Sequence, residues 1–399
     1  MKLENEAIAA LSWLDDKQDS MLELIVELCD INSGTFNLDG LEKVRARLVE
    51  EFSALGGELN IVDSNPWMTV DDRGESEEGK SGPILHVTKW PDAKSKVMLC
   101  IHMDTVYGAD HHFQKCTTKE DGTVNGPGVI DAKGGIVVML NALKTLEASP
   151  LAGKIGWEVI LNSDEEIGSR GSDKLIRSRA PHCDAGLLFE PSLPDGTLVS
   201  WRKGSGNFAF IVRGKSAHTG RDFAKGRNAL AALSRLCVEI DELNTDPDIT
   251  FNVGRINGGG ALNAVPDLAV GRVNVRVVDT DQQKMVETKF EELVKKYNDL
   301  DGISVEMNGE FSSPPKPIDD GVKQMQTRIE TCGEALGMEI KWRGTGGASD
   351  GNRFAAAGLP NIDTLGPSGD NIHSDQEFLI PESLVPRAKL AALVLMSFA

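Results

Sequence analysis

Met21, Leu24, Ile25 and Leu28 follow the i, i+3, i+4, i+7 spacing of one helix face, and Val44, Leu48, Phe52 and Leu55 repeat it. The polar stretch 71–82 (DDRGESEEGKSG) reads as a turn or exposed loop. Short apolar runs follow at 97–101, 159–161 and 187–189, each of strand length and bounded by polar segments. Residues 134–146 (GGIVVMLNALKTL) are too long for one strand and read as a helix. Strands alternating with helices predict an α/β layer fold with a mixed sheet flanked by helices.

The pattern changes after about residue 200. Residues 207–213 read as a strand, 228–243 as a helix and 251–256 as a strand. Residues 268–278 alternate as a half-exposed antiparallel strand should, 285–297 read as a helix and 303–307 as a strand. Strand–helix–strand–strand–helix–strand is the split βαβ order of a ferredoxin-like α+β unit. Pro314-Pro315-Lys316-Pro317 then marks a stiff linker, after which the α/β character returns. The expectation is a discontinuous large domain, 1–203 and 316–399, with an inserted domain, 204–315, joined by hinges near 203 and 315.

Composition narrows the class. Of 399 residues 40% are hydrophobic and 41 are Gly, which excludes a disordered or fibrous chain. The net charge of 42 − 61 = −19 argues against nucleic acid or an anionic membrane as partner. No apolar run approaches the roughly 18 residues that span a bilayer. The start, Met1-Lys2-Leu3-Glu4-Asn5-Glu6, is charged where a signal peptide is apolar, so a cytoplasmic protein is expected unless the chain was trimmed. Six Cys without a CxxC pair favour reduced, mostly buried thiols. Gly204-Ser205-Gly206-Asn207-Phe208-Ala209 fits the dinucleotide pattern G-x-G-x-x-A but opens a strand rather than a helix, and is dismissed.

Chemistry gathers where apolar runs end. Residues 97–101 lead into His102-Met103-Asp104, 159–161 into Asp164-Glu165-Glu166, 187–189 into Glu190, and 362–365 through a Gly/Pro/Asn turn into His373-Ser374-Asp375. Gly126-Pro127-Gly128-Val129-Ile130-Asp131 ends just before the predicted helix. Open α/β sheets bind ligands beyond the carboxyl ends of their strands. Any one of these side chains alone reads as a structural residue or solvated turn. Crowded together, the carboxylates would repel and raise one another's pKa, a cost that divalent cations remove.

These segments, with Ala132-Lys133-Gly134-Gly135, Ile167-Gly168-Ser169, Pro191, Ser216-Ala217-His218-Thr219-Gly220 and Ile372 in place, resemble the di-zinc amidohydrolases. That group holds bacterial glutamate carboxypeptidase, acetylornithine deacetylase, succinyl-diaminopimelate desuccinylase and the aminoacylases. The spacing of the 204–315 residues and the Gly346-Gly347-Ala348-Ser349-Asp350 loop are most similar to the glutamate carboxypeptidase branch. The resemblance implies two divalent ions, zinc first with cobalt or manganese as alternatives. Asp131 would bridge them, His102 and Glu190 would hold one, and Glu166 and His373 the other. It implies a catalytic 1–203/316–399 domain, a 204–315 lid and dimerisation domain, and a cis Asp131–Ala132 peptide. Thr219, after His218, departs from the commoner Ala or Ser.

The chemistry agrees: imidazole and carboxylate suit zinc, and a metal pair shares one bridging carboxylate. Asp104 is expected to accept the other N–H of His102, or else to cap the strand end. Adjacent residues of extended backbone point opposite ways, so Glu166 can bind metal while Glu165 stays free as general base and then general acid. His111 and His112 read as rim or surface, not ligands. Residues 202–235 carry eight basic residues against Asp222 alone, either a solvated basic face or a funnel for an anionic substrate. By resemblance His218 steadies the oxyanion, in several relatives from the partner subunit, while Asn263 and Arg276 hold the substrate carboxylate and Gly347 lines the site. Arg276 also reads simply as an exposed strand residue. The implied substrate is an anionic peptide or N-acyl amino acid, with C-terminal Glu first and deacylation of acetylornithine or desuccinylation type as the alternative. A metal-binding protein without catalysis is the rival from another class.

Overall fold

The computed structural model describes residues 5–399; the charged start Met1–Glu4 lies outside the described residues. Helices Gln18–Cys29 and Leu38–Ser53 bury the two predicted stripes, and Leu55 is buried just beyond the second. Asn37 caps that second helix, its side chain accepting the Gly40 N–H at 3.2 Å.

Six strands form the central sheet in the spatial order Glu58–Val62, Ile84–Lys89, Ile155–Asn162, Ser95–His102, Ala185–Leu188, Asn361–Ile362. The first two pair antiparallel, as do the second and third, and the remaining neighbours run parallel. Parallel strands are covered on both faces. Val97, Leu99 and Ile101 accordingly enter one apolar cluster with the helices Lys133–Glu147 and Leu384–Met396. Met98 and Cys100 point the other way, into a second cluster with Ile176 and Phe354. The four parallel strands therefore end at one rim, where His102, the segment after Asn162, Glu190 and Asp363 emerge.

Residues 204–313 build a second sheet in the order Thr250–Gly258, Leu268–Val277, Gly204–Arg213, Ser304–Ser313, antiparallel throughout. Helices Ala229–Asp241 and Thr280–Asn298 cover one face, with Leu233, Leu236, Phe290 and Leu293 packed against Phe208, Phe210, Val273 and Val275. Thr250–Gly258 is an edge strand and mostly exposed. Gly204 opens a strand, so the glycine-rich stretch there has no helix to present to a nucleotide.

The two crossings between these bodies lie side by side. Arg202 N–H donates to the Lys316 carbonyl and Lys316 N–H to that of Arg202, each at 3.1 Å. A Cβ on Gly204 would stand 2.8 Å from the Pro315 ring, so only glycine admits this approach. Beneath them, buried Asp363 Oδ2 accepts from Arg202 Nε at 2.7 Å and from Lys316 Nζ at 2.8 Å. Burial alone would raise the Asp363 pKa, but Arg202 and Lys316 outweigh it and bring it down to about 2. Asp363→Ala strands two buried cations and should cost about 3–5 kcal/mol in urea or thermal unfolding. The folded pKa lies below the unfolded value of about 3.9. This carboxylate's stabilisation is thus complete above pH ~4 and lost as pH falls through about 2, and Asp363→Asn should flatten that acid limb of the stability curve.

The sequence reading of 71–82 as turn or loop needs correction. Ser76–Gly79 pairs antiparallel with Trp67–Val70, and the Asp71 carboxylate closes the turn by accepting the Arg73 and Glu75 N–H groups at 2.8 Å. Its side chains are mostly exposed on both faces, so no alternation marked the strand. Among the described residues no helix is long and apolar enough to cross a membrane, and the six cysteines are free thiols.

Candidate metal centre

His102 closes its strand, and its Nε2 lies 3.0 Å from Asp131 Oδ1 and 3.9 Å from Glu190 Oε1. His373 Nε2 lies 3.2 Å from Asp131 Oδ2 and 3.2 Å from Glu166 Oε2. Asp131 thus belongs to two three-residue groups, His102–Asp131–Glu190 and Asp131–Glu166–His373, each with its ligand-type atoms within 4.8 Å of one another. His373 takes a left-handed backbone at φ 62°, unusual for a non-glycine residue and typical of functional loops. The Asp131–Ala132 peptide is cis.

The electrostatics fit a pair of cations. Burial, reinforced by Asp131, pushes the Glu190 carboxyl up to about 8 and that of Glu166 up to about 6. Burial followed by Glu190 holds Glu165 well above its usual value. Burial opposes a charge on His102, yet Asp104, Asp131 and Glu190 raise its pKa, and Asp131 and Glu166 bring His373 up to about 11. Glu166 Oε1 is buried without a hydrogen-bond partner. One imidazole and two carboxylates on each side, with Asp131 common to both, are a donor set that suits zinc.

The model of peptidase family M20/M25/M40 matches residues 98–397. The chain belongs to this family. It is therefore of metallopeptidase and amidohydrolase kind, and its metal dependence and hydrolytic class follow from that membership. It is 27% identical over 382 residues to carboxypeptidase G2 of Pseudomonas sp. (strain RS-16), covering 93% of this chain and 87% of that protein. Aminopeptidase PepT from Bacillus cereus shares the fold with a TM-score of 0.72 at 22% identity, over 96% of this chain and 98% of that one. The YXEP protein of Bacillus subtilis, described as a dinuclear metal binding peptidase from the M20 family, superposes with a TM-score of 0.63 at 15% identity, over 95% and 98%.

Glu165 and Glu166 lie on a 3-10 turn, Glu165–Ile167, rather than on the extended backbone the sequence suggested. Their positions still differ. Glu165 belongs to neither ligand group, yet it lines the same cavity of about 480 Å³ as Asp131, Glu166, Glu190, His373 and Gly347. Asp104 also differs from expectation. The His102 Nδ1 sits 2.9 Å from the Asp104 backbone carbonyl and 3.4 Å from its carboxylate. The chain bends as it leaves the strand, bringing the carbonyl within reach of the ring nitrogen. The carboxylate instead accepts from Thr35 Oγ1 at 2.7 Å and from the Glu165 and Glu166 N–H groups at 3.2 and 3.3 Å. It holds the turn that carries Glu165 and Glu166.

The other sequence-predicted residues are more dispersed. Arg276 is half-buried, with Nε donating to Asn274 Oδ1 at 3.1 Å and Nη1 reaching the Gly346 carbonyl at 3.4 Å. His218 and Asn263 are exposed neighbours, since Thr219 N–H donates to the Asn263 carbonyl at 3.0 Å, and neither lines the cavity of its own chain. Much of the 202–235 charge is neutralised locally. Arg202 pairs with Asp363, Arg213 with Glu75, Lys225 with Asp222 and Arg227 with Asp301. His111 and His112 stack beside Asp375, outside both ligand groups.

Sequence reasoning missed Glu377. Its buried carboxylate accepts the N–H groups of Gly128 (3.0 Å), Ile130 (3.0 Å) and Asp131 (3.2 Å) and the Tyr107 hydroxyl (2.9 Å). It ties the loop that presents Asp131 to the loop that presents His373. Four residues after His373 in a polar stretch, it reads as a solvated Glu, and nothing local distinguishes it.

Proposed function

We propose that this protein hydrolyses the amide bond of an N-acyl or N-peptidyl amino acid with a free carboxylate, releasing C-terminal glutamate. The observation that carries the reading is Glu165: an unligated carboxylate beside two complete ligand groups that share Asp131. His102 and Glu190 would hold one ion and Glu166 and His373 the other. When bound, a pair of divalent ions, zinc first, polarises the amide carbonyl. Glu165 takes the proton of the attacking water and returns it to the leaving amine. The similarity to carboxypeptidase G2 supports a carboxypeptidase over a deacylase.

In this reading residues 204–315 are a lid on the paired crossings at Arg202 and Lys316, and Arg276 grips the substrate carboxylate with its planar fork. His218 and Asn263, exposed and outside their own cavity, serve the partner's site in a dimer. The open edge strand Thr250–Gly258 supports pairing between copies through the lid.

A panel of N-acyl-glutamates, dipeptides and acetylornithine, assayed with added Zn²⁺ or Co²⁺, tests the reaction; no turnover of any amide would sink it. Arg276→Ala should raise KM steeply for acids and far less for their C-terminal amides. Equal losses on both would remove Arg276 from the carboxylate role. A fully active monomer in solution would remove the dimer.

A further inference from the structure

A second cavity, of about 900 Å³, opens between the uncovered face of the 204–313 sheet and the segment that follows the metal-site turn. It shares no lining residue with the metal cavity. Five arginines line it, Arg170, Arg177, Arg255, Arg272 and Arg353, against two acids, Asp173 and Glu310. In a chain of net charge −19 that is an unusual concentration of positive charge.

Most of these guanidiniums are already engaged. Arg177 Nε donates to both Asp173 oxygens, at 2.7 and 2.8 Å, Arg353 lies 3.3 Å from Asp173 and 3.4 Å from Asp350, and Arg255 and Arg272 share Asp72. Counting Asp72 and Asp350 with the lining acids leaves five cations against four anions, a balance of +1. Arg170 stands outside these ion pairs, and the acid whose field reaches it is Glu310. Arg170 is half-buried, and among the described residues it has no ion pair within 4.0 Å and no hydrogen bond. Burial lowers its affinity for its proton, and only the field of Glu310 opposes this. A half-buried guanidinium that none of the described residues engages can receive an anion in its fork.

We propose that this cleft binds a multiply charged small-molecule oxyanion, a phosphate ester or a dicarboxylate, with Arg170 as its anchor. The volume suits a small-molecule site, which typically spans roughly 300–1,000 Å³. A guanidinium matches phosphate or carboxylate bidentately, and Asn308 and Ser312 on the facing sheet add uncharged hydrogen-bonding groups. Such a ligand would bridge the two bodies. It would touch the wall formed by Gly168, whose carbonyl Arg353 holds, two residues past the ligand Glu166.

The test is calorimetric titration of inorganic phosphate and, separately, glutarate into the metal-loaded full-length protein at matched ionic strength. One or both should bind at a site that Arg170→Ala weakens roughly tenfold or more. Glu310→Gln, which removes the acid facing Arg170, should strengthen the same site. Arg170→Lys keeps the charge but loses the fork and should fall between wild type and alanine. Arg170 makes no structural bond, so unchanged melting of the alanine variant is expected and is measured alongside. Which anion binds decides the class of ligand. Equal affinity in wild type and Arg170→Ala, or no binding of either anion, overturns the proposal.

Discussion

Glu165→Gln should lower turnover by roughly two to four orders of magnitude while leaving metal content unchanged. Glu165 stands in neither ligand group, so its amide analogue removes no donor to an ion. What it removes is a carboxyl whose proton affinity burial and Glu190 hold well above the usual value. A carboxylate can accept a proton from water and return it to the leaving nitrogen, whereas an amide does neither. Glu166→Gln is the control from the next position. Glu166 Oε2 lies 3.2 Å from His373 Nε2, and its Oε1 is buried without any partner. That variant should lose bound metal, and with it activity that excess Zn²⁺ partly restores. Metal analysis beside kcat separates the two. If both variants lose metal equally, Glu165 is a ligand and the division of labour between the neighbours is wrong.

The candidate metal ligands were legible because several of them follow closely on an apolar run. His102 closes a strand, Glu190 lies just past another, and Asp131 precedes a helix with a glycine pair, so local pattern and chemistry coincide. The order of the 204–313 elements was legible for the same reason, since alternation along Leu268–Val277 survives in its burial. The Ser76–Gly79 strand was not, because exposed side chains on both faces leave no period of two. Asp363 and its two cations come from segments 161 and 47 residues apart, and their pairing exists only once the sheet has formed. The basic run 202–235 left two readings open, because its partners are not visible along the chain. Its charge is clustered along the chain, but Glu75 and Asp301, remote in sequence, neutralise part of it.

Glu377→Ala should cost several kcal/mol of stability and weaken metal binding by roughly 10- to 100-fold, although Glu377 lies in neither ligand group. Its two oxygens take the N–H groups of Gly128, Ile130 and Asp131 and the Tyr107 hydroxyl, all inside the protein. Without them three buried backbone donors lose their acceptor, each at about 1–3 kcal/mol. The loop that aims Asp131 between His102 and His373 then loses its anchor to the His373 segment. Metal affinity should fall because the shared carboxylate is no longer held in place, not because a donor is gone. Glu377→Gln separates the two effects. It retains one carbonyl oxygen where Ile130 and Asp131 donate, and its amide meets Gly128 and Tyr107, so an intermediate loss is expected. Tyr107→Phe removes a hydroxyl that Glu377 and the Ser374 carbonyl share, and no charge, and should cost only about 1 kcal/mol. Chelator competition for Zn²⁺ and urea unfolding of the metal-free protein are the two readouts. A Glu377→Ala variant with wild-type zinc affinity would show that the Asp131 loop holds its shape unaided, and Glu377 would then be a structural acid alone.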